Sequence, residues 1–109
     1  MLMHGGPEAQ AQVGWNGRLN HLLLERGVAI LEPNVRGSSG YGKTFLDLDN
    51  GKLREDSVRD MAAGIDWVAT HPRLDGGKVI VAGGSYGGYM ALAAATRLAD
   101  KIAGAYSSV

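Results

Sequence analysis

A chain of 109 residues is enough for one small domain. Its 11 basic and 11 acidic residues balance, which excludes a cationic field for nucleic acid and an acidic tail. The absence of cysteine excludes disulfides, zinc-thiolate sites and a cysteine nucleophile, and no apolar run approaches the roughly 18 residues that a membrane span needs.

The chain opens on Met1-Leu2-Met3, the tail of a buried strand, and runs straight into glycines, with no secretory-signal pattern. His4-Gly5-Gly6-Pro7 reads as a turn whose adjacent glycines expose backbone N–H groups. A helix is expected from Asn16 to Arg26, with Trp15, Leu19, Leu22 and Leu23 on one face and Gly27 as its left-handed stop. Val28 to Leu31 is a short apolar strand closed by Pro33.

Gly37 to Thr44 fits the phosphate-loop pattern Gly-x-x-x-x-Gly-Lys-Thr. A true phosphate loop opens a long helix, and a later strand ends in an acid that helps hold magnesium. Here Asn50-Gly51 follows within six residues, and neither later strand ends in an acid. Nucleotide binding is thus a distant alternative.

Arg54 to Thr70 is the clearest helix, because Val58, Met61, Ala62, Ile65, Val68 and Ala69 keep the i, i+3, i+4 spacing of one face. Asp56 favours its first turn, and His71-Pro72 ends it. Arg59, Asp60 and Asp66 read as its solvated face, with Trp67 at the border. Asp75-Gly76-Gly77 then turns the chain into a strand at Val79.

That strand, Val79 to Ala82, runs into Gly83-Gly84-Ser85-Tyr86-Gly87, a Gly-x-Ser-x-Gly pattern. A small-residue helix follows from Tyr86 to Ala99, and a last strand from Ile102 to Val109. In a nucleophile elbow the chain turns so sharply that side chains two residues either side of the serine would collide, so both must be glycine. The plainer reading is a glycine-rich turn whose serine caps the helix. Strand and helix alternate throughout, which implies a mostly parallel α/β sheet with helices on both faces. The turn after His4, the Gly37 loop and Ser85 all follow strand ends, where such sheets bind ligands.

Three segments together resemble the catalytic domain of the prolyl oligopeptidase family, in its acylaminoacyl-peptidase and dipeptidyl-peptidase branches. They are His4-Gly5-Gly6-Pro7-Glu8, Asn34 to Gly42, and Gly83 to Met90. The resemblance implies an α/β-hydrolase fold and a serine peptidase acting on short peptides, without cofactor or metal. By position, Ser85 would be the nucleophile, and the N–H groups of Tyr86 and Gly6 the oxyanion donors. Asn34 and Arg36 would either touch substrate or brace their loop, with bracing the favoured role. An esterase of the same fold is the nearer alternative. His21 and His71 match no catalytic position.

The family's order is serine, acid, histidine. After Ser85 this sequence has Asp100 and no histidine. Residues 1–109 are therefore expected to be a partial catalytic domain, truncated before the catalytic acid and base and lacking the family's β-propeller. Such a piece should be inactive alone and should self-associate through an open sheet edge. The expected compartment is the cytoplasm.

Overall fold

A computed structural model describes residues 1–15 and 17–108, so Asn16 of the expected first helix and Val109 of the expected last strand lie outside the described residues. The elements in chain order are β1 (Leu2–Met3), α1 (Gly17–Glu25), α2 (Lys43–Leu46), α3 (Arg54–Thr70), β2 (Ile80–Gly84), α4 (Tyr86–Arg97) and β3 (Gly104–Ser108). Short 3-10 turns join α2 to α3 and lead into β2.

α3 forms where the apolar spacing is most regular. Val58, Met61, Ile65 and Val68 bury one stripe of it, and Glu55 and Asp56 sit in a first turn whose dipole favours negative charge. At His71 the backbone turns extended, as the residue before Pro72 must.

The sheet is parallel, in the order β1-β2-β3. Leu2 pairs with Ala82 and Met3 with Gly83, while β2 and β3 pair from Ile80–Gly104 to Gly84–Ser108. The expected strand at Val28–Leu31 is not a strand, which corrects the four-strand reading. The segment touches β1 where the Leu2 N–H donates to the Leu31 carbonyl at 2.8 Å. β1 offers two residues to pair with, and Pro33 has no N–H to extend a ladder. The Met1 carbonyl, by contrast, accepts from Ala82 at 2.9 Å. The chain therefore leaves β1 on one side and returns on the other, which is the reversal that opens a crevice at strand carboxyl ends.

α4 lies against all three strands, and α3 packs beside it. Gly87, Gly88, Ala91 and Ala94 let α4 approach closely, and Met90 fills the layer with Met3, Met61, Ile65 and Val81. Met61, Met90 and Val81 are fully buried, each contributing about 1.5–3 kcal/mol. The opposite face of β2 leaves Ile80 exposed. α1 has no fully buried residue: Leu22 and Leu23 are half-buried, while Leu19 is 68% exposed and Trp15, ahead of the helix, 80%.

Candidate active site

β2 ends at Gly84 and α4 starts at Tyr86, so a single residue makes the turn between them. Ser85 makes it with φ 54 and ψ −121, the one positive φ outside glycine among the described residues. Such a conformation costs about 1–3 kcal/mol and persists where its surroundings enforce it. The Ser85 N–H donates to the Ser108 carbonyl at 3.1 Å, and its carbonyl accepts from Tyr89 at 3.1 Å. A Cβ at Gly83 would lie 2.5 Å from the Gly87 carbonyl, and one at Gly87 would lie 2.1 Å from the Met3 oxygen. The glycines on either side thus touch each other, and Gly87 also touches the end of β1. Ser85 is exposed and its side chain makes no capping bond, so the capping reading fails.

The loop after β1 comes alongside. A Cβ on Gly5 would stand 3.7 Å from Ser85 Cβ and 3.7 Å from the Gly84 carbonyl. Gly6 follows with φ 125. Tyr86, as the first residue of α4, has no carbonyl four residues back within the helix to receive its N–H. Nδ1 of His4 lies 2.6 Å from the Gly5 carbonyl oxygen, and Nε2 lies 2.8 Å from Ser38 Oγ. The three loops expected to converge do so: His4 reaches Ser38 of the second, and Gly5 reaches Ser85 of the third.

Asn34 and Arg36 brace these loops. Asn34 accepts from the Ala11 N–H at 2.8 Å and donates to the Ala11 carbonyl at 3.0 Å. Arg36 is clamped by Asp60, which accepts from its N–H at 2.8 Å, Nε at 2.9 Å and Nη2 at 2.7 Å. Asp56 stands 3.7 Å from Nη1. Asp60 therefore does not belong to a solvated face, as its charge suggested. The signal for this was present: Asp56 and Asp60 are like charges at i, i+4, an arrangement that asks for a cation from elsewhere. Burial alone would raise the Asp60 carboxyl, but the Arg36 side chain, its N–H and its charge together hold it below its ordinary value.

Beneath the serine turn lies a polar cluster that the sequence did not announce. The Asp49 carboxylate is fully buried and pressed so closely on Gly37 that a Cβ there would lie 2.2 Å from Asp49 Cγ. Arg54 Nη1 is 3.4 Å from Asp49 Oδ2, and its guanidinium lies 5.2 Å from the centre of the Tyr86 ring. The Tyr86 hydroxyl stands 2.8 Å from Ser57 Oγ and donates more weakly to Asp49 at 3.4 Å. Burial pushes the Tyr86 phenol up.

The other histidines are elsewhere: His21 pairs with Glu25 on α1 at 3.0 Å, and His71 ends α3 beside the Trp67 ring. The Gly37–Thr44 loop opens a helix of four residues, and Lys43 Nζ pairs with Asp47 at 2.9 Å, unlike a phosphate loop. Among the described residues no group of acidic or histidine side chains is arranged to hold a metal, and no helix is long and apolar enough to cross a membrane.

A sequence model of the prolyl oligopeptidase family matches residues 15–109. The chain is 37% identical over 103 residues to a dipeptidyl aminopeptidase BIII of Pseudoxanthomonas mexicana, covering 94% of this chain and 15% of that protein. It is 35% identical over 96 residues to a dipeptidyl peptidase family member 6 of Caenorhabditis elegans, covering 88% and 13%. An acylamino-acid-releasing enzyme of Sus scrofa is 30% identical over 90 residues, covering 83% and 12%. The chain thus spans a small part of the length of the curated relatives it matches.

Proposed function

Because the chain belongs to the prolyl oligopeptidase family, we propose that it carries the nucleophile of a serine peptidase that cleaves short peptides through an acyl-enzyme. Ser85 Oγ attacks the scissile carbonyl carbon, and the carbonyl oxygen takes on negative charge. The N–H groups of Tyr86 and Gly6 receive that charge, donors fixed before the reaction begins. The serine proton passes to a histidine and on to the leaving amine; water then attacks the ester by the same route. The observation that carries this reading is the Ser85 turn, a strained serine held clear of the sheet by Gly83 and Gly87.

Residues 1–109 are read as part of an α/β-hydrolase catalytic domain, with the histidine and acid supplied by sequence outside them. His4 is engaged with Ser38 and Gly5, and Asp100 follows the far end of α4. Without those partners, the oxyanion hole and binding alone leave roughly 10³–10⁴-fold catalysis over water at most, so these residues by themselves should not turn over. A β-propeller that limits substrate size, and a cytoplasmic location, belong to the same proposal. So does self-association through β3, where Tyr106 is 65% exposed.

The test is hydrolysis of dipeptide and N-acyl-amino-acid anilides by the protein as its gene encodes it, with labelling by a fluorophosphonate. Both should vanish in Ser85→Ala. Anilide hydrolysis undiminished in that variant refutes the proposal, and hydrolysis of esters without anilides refutes its peptidase half.

A further inference from the structure

Resting on the nucleophile proposed above, we propose that His4 is a positioning residue that aims the Gly6 N–H at the oxyanion. The peptide joining Gly5 to Gly6 is trans, so its carbonyl and its N–H point in opposite directions within one plane. His4 Nδ1 stands 2.6 Å from the Gly5 carbonyl oxygen. A carbonyl oxygen can only accept, so Nδ1 carries the hydrogen and donates it. Holding that carbonyl holds the Gly6 N–H in the opposite direction. Gly5 lies against Ser85 Cβ and the Gly84 carbonyl, so the plane being held is the one beside the serine.

The imidazole is needed because a Gly-Gly peptide has no side chains to resist rotation of its plane. The ring in turn is held at its far nitrogen, where Nε2 lies 2.8 Å from Ser38 Oγ. Ser38 is 1% exposed. With the ring hydrogen on Nδ1, Nε2 accepts, so the single hydroxyl hydrogen of Ser38 is divided between Nε2 and the Val35 carbonyl, 2.6 Å away, and the Ser38 N–H donates to the same carbonyl at 3.0 Å. The turn that carries Ser38 is tied to α3 by the Arg36–Asp60 clamp. Position is thus passed from α3 through Arg36 and Ser38 to His4, and from His4 to the Gly6 N–H.

The experiment is steady-state kinetics of the gene-encoded protein on a peptide anilide, comparing His4→Phe, His4→Asn, His4→Gln and Ser38→Ala. Asparagine places an N–H near the position of Nδ1, whereas glutamine places one near Nε2. His4→Phe should lower kcat about 100-fold, the lower end of what loss of an oxyanion donor costs, with KM nearly unchanged. His4→Asn should recover most of that loss and His4→Gln less, while Ser38→Ala should fall between His4→Phe and the unsubstituted protein. A merely structural histidine would lower kcat in step with thermal stability and would not separate asparagine from glutamine. Unchanged kcat in His4→Phe, or asparagine no better than glutamine, would overturn the proposal. Ser85→Ala is run in parallel: activity that survives it refutes the nucleophile itself, whereas activity lost there but intact in His4→Phe refutes the role of His4 alone.

Discussion

Replacing Asp60 by alanine removes the acceptor for Arg36 N–H, Nε and Nη2 together. The N–H loses a charged acceptor in a partly buried place, which costs about 1.5–3 kcal/mol. The guanidinium pair adds about 1 kcal/mol, because its side chains are 31% and 29% exposed and solvent screens them. Asp56 at 3.7 Å retains part of the attraction. The expected loss is about 3 kcal/mol, or roughly 12 °C in melting temperature for a chain of this size. Asp60→Asn, which keeps a neutral acceptor, should lose about half as much. Urea unfolding at neutral pH measures both. The sign with pH follows from the depressed Asp60 carboxyl: its stabilisation is present above its ordinary value of 3.8 and is lost as pH falls through the lower folded-state value. Wild type and Asp60→Ala should therefore converge in acid. A neutral-pH loss below about 0.5 kcal/mol, the range of ordinary surface substitutions, or a gap that persists in strong acid, refutes the clamp.

Gly87→Ala should destabilise by about 3 kcal/mol or more and abolish soluble expression, since its Cβ would meet the Met3 carbonyl at 2.1 Å; a folded variant of unchanged melting temperature contradicts the close approach. Ser85→Gly should raise stability by about 1 kcal/mol, because glycine adopts φ 54 without strain, and equal or lower stability in urea would mean that the turn is not strained. Burial holds the Tyr86 phenol above its ordinary 10.0, so the stability it confers is full below that value and lost as pH rises through the folded-state value. Tyr86→Phe should accordingly lose less stability in alkali than wild type, and parallel alkaline curves would refute this.

What could be read from the sequence was what local pattern decides. α3 occupies the bounds that its apolar spacing gave, Arg54–Thr70, and the Gly83–Gly87 pair touches as the turn geometry required. The misreadings concern partners distant in sequence. Asp60 and Asp66 both looked like solvent-facing charges. One clamps Arg36 from 24 positions away, while the other pairs with Lys101 at an exposed site. Val28–Leu31 has the composition of a strand, yet a strand needs a neighbour long enough to pair with, and β1 is two residues long. The Asp49–Ser57–Tyr86 cluster joins polar residues that in sequence look like ordinary turn and helix-surface positions, and burial comes only when α3 and α4 pack together.

The tie between Ser85 and Ser108 also bears on the order of folding. The turn is enforced by Met3, 82 positions earlier, and by Ser108, after the helix that follows it. Neither is a local contact, so each costs loop-closure entropy before it stabilises anything. While the chain is emerging from a ribosome, β2 can exist before β3 is available, and Ser85 is then free to relax to an ordinary backbone conformation. The strained serine is consequently a property of the assembled sheet. A partly synthesised chain would carry the motif in its sequence without displaying the geometry that makes the serine reactive.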